Sequence, residues 1–367
     1  DTPTRANGAM IRLLLYKISS AFAALLGVAS LVFFLFTVLP GDPAQMMLDQ
    51  NEDSAQLAII KSKFGFDLPI STQYFYYLND LLPVSLHSKN PDQFGYFDES
   101  IYGGVILANL SSYFLVLKWP YLRTSYQKRG KPIAEIISET LPNTALLAFS
   151  SMTIAVFFGL LFGIIATLNK DRWIDRFLQL ISTLGMSVPS FFSAILFSWF
   201  FGYLLHDFTG LNMTGSLYEL DNYGEENRLQ WKNLILPSIV LGIRLLAVII
   251  QLLRSNLLVV LSEDYIRTAY AKGLSRSQVV LKHGLKNALN PVITAISGWF
   301  ASLLAGAIFV EFIFGWKGLG KELVEALNQL DIPVVMGAVL TIAFFFIIIN
   351  IVVDFIYAYL DPKIKTL

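Results

Sequence analysis

The chain has 367 residues, 55% of them hydrophobic and 15% charged, with a formal net charge of zero. That balance excludes an ordinary soluble domain and places the chain in a bilayer, and without Lys/Arg blocks interleaved with aromatics it offers nucleic acid no footprint. The absence of cysteine excludes a disulfide framework, a thiolate metal site and a cysteine nucleophile, and the three histidines (His87, His206, His283) lie too far apart for metal-ligand spacing.

Residues 1–10 carry no pattern and read as a disordered N-terminal segment or an appended remnant. Arg12 and Lys17 then open an apolar run to Leu39. It begins as a signal peptide does, but it outlasts the roughly 7–15 residues of such a segment and no small-residue cleavage site follows. An uncleaved first span over 11–39 is expected. Further apolar stretches cover 144–168, 177–205, 234–261, 291–314 and 334–360, each near or above the roughly 20 residues that cross a hydrocarbon core. Backbone groups in lipid must be satisfied within their own segment. The predicted fold is therefore an all-α polytopic membrane protein with six transmembrane helices.

Residues 40–143 form the long connection after the first span, and 144–367 the five-helix core. Within the connection, Gly103–Leu122 approaches spanning length but contains Asn109, Ser111, Ser112, Lys118 and Pro120. Its β-branched and aromatic residues between Gly and Pro borders predict one or two strands of a small domain instead.

Lys and Arg in short loops resist translocation, so their distribution predicts orientation. Lys170, Arg172, Arg176, Arg267, Lys272, Arg276, Lys282 and Lys286 fall on one side, against Arg228, Lys232, Lys317 and Lys321 on the other. Arg12, Lys17, Lys363 and Lys365 join the richer side. Both termini and the loop 262–290 are expected in the cytoplasm, and 40–143 outside.

That loop has internal order. Ser262, Glu263 and Asp264 suit a helix start, Tyr265–Lys272 can continue it, and Gly273 offers a stop. Ser275 and Gln278 have the spacing of a capping box for a second helix through Val279, Val280, Leu281 and Leu285. A paired-helix loop of this size exceeds what joins two neighbouring spans, and it is expected to dock a partner.

The run Arg267-Thr268-Ala269-Tyr270-Ala271-Lys272-Gly273-Leu274 resembles the cytoplasmic loop of permease subunits in ATP-binding-cassette importers of the oligopeptide/dipeptide/nickel family. Leu39-Pro40-Gly41-Asp42-Pro43-Ala44, Phe64-Gly65-Phe66-Asp67 with Pro69 and Gln73-Tyr74, Ser187-Val188-Pro189-Ser190-Phe191, Phe314-Gly315-Trp316-Lys317-Gly318-Leu319-Gly320 and Leu360-Asp361-Pro362-Lys363-Ile364 are similar to further family motifs, in family order. The resemblance implies a type I importer fold in the bacterial inner membrane and identifies the chain with the first permease of a pair. It implies a homologous second permease, two cytoplasmic ATPases that bind ATP and Mg, and an external solute-binding protein, with no cofactor on this chain. It also implies that Arg267–Ser275 transmit ATPase motion to the spans, with Ala269, Ala271 and Gly273 permitting close approach. The expected cargo is short peptides, with nickel chelates and other small solutes as the alternative. Two features depart from the family: a longer stretch over 80–120, and Arg244 inside a span.

Pro189 is expected to kink the third span, and with Ser190, Arg244 and Gln251 it forms the expected translocation path. Arg244 could line that path and meet a peptide carboxylate, or pair with an acid of the second permease. Arg254 is expected to snorkel to the cytoplasmic surface, and Glu311 and Asp354 to be interfacial. Gly315–Lys321 fits the start of a phosphate-binding loop but has Glu322 where Ser or Thr would hold magnesium. A secondary transporter or channel would want paired acids within the spans or a filter sequence, and a membrane enzyme would want convergent nucleophiles or ligands; neither set is present.

Overall fold

The computed structural model describes residues 2–38, 44, 54–91, 93–128, 130–220 and 227–360. Most of the Leu39–Ala44 motif, the terminal Asp361–Ile364 motif, and Lys363 and Lys365 lie outside them. The chain divides into two compact units, one formed by residues 1–139 and 323–344, the other by 140–322 and 345–367.

In the first unit, helix α1 (Thr2–Val38) is followed by α2 (Ser54–Phe64), α3 (Ile70–Leu81), strand β1 (Val84–Ser88), a short helix Glu99–Tyr102, and strands β2 (Val105–Asn109) and β3 (Tyr113–Leu117). Helix α1 already begins at Thr2, so residues 2–9 continue the first helix where a patternless segment is expected. Pro3 is no obstacle, because proline is tolerated in a first turn whose N–H groups lack partners anyway. Phe33 of α1 stacks on Tyr77 of α3 with ring centroids 5.3 Å apart, and the Ser30 and Tyr74 hydroxyls meet at 2.6 Å.

The strands form an antiparallel sheet in the order β1-β3-β2. Gly103–Leu122 is thus the β2–β3 hairpin, as its composition predicts, with a bulge between Ile106 and Ala108. Alternation along β1 sends Val84 and Leu86 outward and Ser85 and His87 inward. Asp80, at the end of α3, is buried; it accepts from Arg123 Nε at 2.9 Å, and its carbonyl accepts from Lys118 Nζ at 2.6 Å. Burial raises the Asp80 pKa against the pull of Arg123, and burial lowers that of Lys118. Asp331, at the start of the last helix, accepts from the Ser125 hydroxyl and from the backbone N–H groups of Tyr126 and Gln127, which pins the loop after β3.

The long helices follow. They are α4 (Ile133–Leu168), α5 (Trp173–Ser187), α6 (Ser190–Phe197) with a π-helical continuation Ser198–Leu204, α7 (Lys232–Val260), α8 (Asp264–Ala271), α9 (Leu285–Phe314), α10 (Leu319–Asn328) and α11 (Ile332–Leu360). Tyr218–Leu220 and Asn227–Leu229 pair as a small antiparallel ribbon before α7. Among the described residues, four helices are long and apolar enough to cross a membrane alone, and two bent pairs bring the number to six when each pair is one span.

The second unit is held by α7, whose Leu241, Leu245, Ile249, Leu253 and Leu257 are buried in one cluster with Leu303, Leu304, Ala307 and Val310 of α9. Helix α4 approaches α7 through Gly159 and Gly163, where an added Cβ would lie 2.8 Å from Ile249 and 3.0 Å from Leu253. Small residues at this spacing let helices pack closely where no hydrophobic force drives them together.

The third span differs from expectation. In place of one kinked helix, α5 and α6 meet at 112°. Val188 has the extended backbone favoured before proline, and Pro189 offers no N–H to the preceding turn, so α5 ends and α6 restarts with Ser193 N–H donating to the Pro189 carbonyl.

Candidate functional site: the basic hairpin and the mid-span residues

Helix α8 ends in a motif that Gly273 makes possible. Gly273 sits at φ +81°, its N–H donates to the Tyr270 carbonyl at 2.9 Å, and Leu274 N–H donates to the Ala269 carbonyl at 3.4 Å. These two bonds close a Schellman cap, which needs a left-handed residue and so favours glycine. The next turn carries the expected capping box: Ser275 N–H donates to Gln278 Oε1 at 3.0 Å while the Ser275 side chain accepts from Gln278 N–H. Beyond Arg276–Gln278 a π-helical stretch, Val279–Gly284, leads into α9. At the hairpin's start Glu263 is the N-cap, while the Ser262 hydroxyl turns back to donate to the Val259 carbonyl at 2.6 Å.

The hairpin has its own small core of Ile266, Ala269 and Val279, closed by Leu261 and Leu274. Ala269 therefore faces inward and does not permit a partner's approach. The periodicity of α8 decides this, since Ala269 lies three residues after the buried Ile266. Arg267, Thr268, Tyr270, Ala271, Lys272, Gly273 and Ser275 are exposed, and Leu274 is half-buried. Arg276 anchors the base, donating to the Thr167 carbonyl at 3.3 Å.

The expected path residues lie on two elements that pack together, the α5–α6 corner and α7, where an added Cβ at Gly185 would lie 3.0 Å from Ile243. Pro189 and Ser190 are exposed at the α5–α6 corner, while Arg244 is exposed and Gln251 half-buried on α7. The Arg244 guanidinium lies over the Trp299 ring, 5.5 Å from its centroid. Arg254 is fixed by an ion pair at the start of α5. It donates to both carboxylate oxygens of Asp175, each at 2.6 Å, and Asp175 is 1% exposed.

Glu311, close to the end of α9 as expected, is fully buried within the chain. Its Oε2 accepts from Gly320 N–H at 2.7 Å and Lys321 N–H at 3.2 Å, at the start of α10. The amides of the phosphate-loop-like sequence are thus turned toward the chain's own carboxylate. Trp316, also fully buried, donates from Nε1 to the Asn143 carbonyl at 3.0 Å, and Leu319 N–H donates to the Thr144 hydroxyl at 2.8 Å. Among the described residues no group of three or more His, Cys, Asp or Glu could hold a metal ion.

A family model described as binding-protein-dependent transport system inner membrane component matches residues 159–366, which include the hairpin, α7 and α9. The chain belongs to this family. The model for the N-terminal part of such membrane components matches residues 10–89. The chain is a permease subunit of an ABC importer, multi-pass in the inner membrane. The glutathione transport system permease protein GsiC of Salmonella typhimurium strain LT2 is 34% identical over 356 residues, covering 97% of this chain and 99% of that protein. GsiC of Escherichia coli K12 is 32% identical with the same coverage. Among solved structures, a chain of the MetNI methionine ABC transporter in an inward-facing crystal form matches with a TM-score of 0.50 at 15% identity, covering 62% of this chain and 98% of that one. That likeness shows the fold. Residues 90–158, which include strands β2 and β3, lie outside both family models.

Proposed function

We propose that this permease imports short peptides, with Arg267–Ser275 as the segment gripped by a cytoplasmic ATPase. Two ATPases bind ATP and Mg, a second permease completes the membrane path, and an external binding protein delivers cargo. Both termini and the hairpin lie in the cytoplasm, a reading supported by the distribution of Lys and Arg over the short loops. The sheet of the first unit then stands outside and modifies docking of the binding protein. The peptide cargo is supported by the glutathione permeases to which the chain is similar.

The observation that carries the coupling role is the exposed face of α8. Arg267, Tyr270, Ala271 and Lys272 project from a hairpin whose inner side is closed by its own core. A short helix stiffened by a core, a Schellman cap and a capping box transmits displacement instead of bending. Reconstitution tests the whole reading: uptake of labelled glutathione into proteoliposomes should require the binding protein and both ATPases, and should persist after the proton gradient is collapsed. Uptake driven by a proton gradient without ATPases would reject it.

A further inference from the structure

Arg244 lies about 18 Å along α7 from Lys232 and about 24 Å from Val260, in a 29-residue helix. Trp299 is similarly central in the 30-residue α9. The pair therefore sits at mid-membrane depth, and Arg244 is exposed in this chain. A guanidinium facing hydrocarbon there costs several kcal/mol, so this face meets water or protein.

Two observations narrow the choice. Two charged side chains elsewhere in these helices have partners within this chain: Asp175 is held by Arg254, and Glu311 by the amides of Gly320 and Lys321. Among the described residues Arg244 has no hydrogen bond or ion pair, and its one contact of a polar kind is the Trp299 face. A ring beneath a guanidinium restrains it and shields one face, while the N–H donors, which lie in the guanidinium plane, stay open. Five donors in a fork match the two oxygens of a carboxylate. The neighbouring surface of α9 is also not lipid-like, because Thr294, Gly298 and Ser302 are exposed and a Cβ at Gly298 would have nothing within 4 Å.

We propose that Arg244, oriented by Trp299, selects anionic cargo by taking a carboxylate of the passing peptide. Arg244 is the specificity-determining residue and Trp299 its positioning residue. The carboxylate partner rests on the peptide-import reading; the attraction of anions to this point does not.

The experiment has two arms, both on the complete importer in proteoliposomes. The first compares uptake of a tripeptide with a free C-terminal carboxylate and of the same peptide as its C-terminal amide. Loss of a charge-assisted pair predicts that Arg244→Gln lowers the carboxylate-to-amide ratio of kcat/KM about 10- to 100-fold. Trp299→Leu should lower it in the same direction, and Trp299→Phe, which keeps a ring, should restore most of it. An unchanged ratio in Arg244→Gln overturns the proposal, and if recovery of the complex falls instead, Arg244 pairs with an acid of the second permease. The second arm needs no cargo. This chain lacks cysteine, so Gly298→Cys or Thr294→Cys gives it one thiol, labelled with an anionic and with a cationic methanethiosulfonate. The anionic reagent should react faster, and Arg244→Gln should remove that advantage. No anionic preference at either position overturns the proposal whatever the cargo. Preference that depends on Arg244, with neither peptide taken up, would reject the peptide reading and leave the anion-selecting pair standing.

Discussion

Asp175 of α5 and Arg254 of α7 are 79 residues apart in sequence and meet through two hydrogen bonds of 2.6 Å. Asp175 also accepts from the backbone N–H of Asp171 at 2.9 Å and from Gln179 at 3.0 Å, so its charge is satisfied on every side. The pair fastens the first half of the broken third span to the central helix. Removing one partner should cost about 3–5 kcal/mol, because it strands the other as a buried charge. Asp175→Leu and Arg254→Met singly should lower the melting temperature of the solubilised protein. The double variant should recover much of the loss, since replacing both partners by apolar groups leaves no orphan.

Glu311 offers a second site of the same kind. Glu311→Ala should strip the amides of Gly320 and Lys321 of their acceptor, at about 1–3 kcal/mol for a buried group left unmade. The expected signature is local: faster hydrogen exchange in the first turn of α10, with protection in α7 unaltered. Glu311→Gln keeps an acceptor oxygen and should fall between the two.

His87, 1% exposed inside the sheet domain, has its pKa pushed down to about 4 by burial and by nearby Lys118. The unfolded chain therefore binds a proton below about pH 6.5 that the folded chain refuses until about pH 4, and stability falls as pH drops through that window. The loss approaches about 3 kcal/mol at the acid end. Asp80, whose pKa is raised, contributes with the opposite sign, so the His87 share is isolated by difference. Limited proteolysis of the sheet should accelerate between pH 6.5 and 4, and His87→Asn should flatten that dependence.

Gly273 separates strain from bulk. A Cβ there meets nothing within 4 Å, yet φ is +81°, so Gly273→Ala should cost about 1 kcal/mol from the left-handed backbone alone. Gly273→Arg carries the same strain plus a side chain on the exposed end of α8. Both variants should accumulate in the membrane to similar levels, measured by quantitative blotting.

Much of this permease was legible where short-range chemistry decides. The Ser275–Gln278 box, the Gly273 stop and the strands within Gly103–Leu122 follow from residues a few positions apart, and the structure has each of them. Pro189 marked where the third span breaks, but the 112° angle comes from packing that no local pattern encodes. The fate of Arg254 was hidden for a related reason. Asp175 lies just before the apolar run of its span, so hydropathy set it aside as a loop residue, and only the fold brings it to Arg254. Ala269 was misread because smallness suggested contact with a partner, whereas its spacing from Ile266 already placed it on the inner face. The burial of Glu311 carried a faint signal, since Gly318 and Gly320 leave room for the carboxylate that lies within 3 Å of where their Cβ atoms would be.

In the proposed mechanism the hairpin is the lever between ATP hydrolysis and transport. Its most direct test is the number of ATP molecules hydrolysed per molecule imported, measured in proteoliposomes for wild type, Gly273→Ala and Gly273→Arg. The ratio should rise about tenfold or more in Gly273→Arg, a displacement worth about 1.4 kcal/mol of coupling, and stay near wild type in Gly273→Ala. A wild-type ratio in Gly273→Arg, in an importer that still hydrolyses ATP and transports, would contradict it.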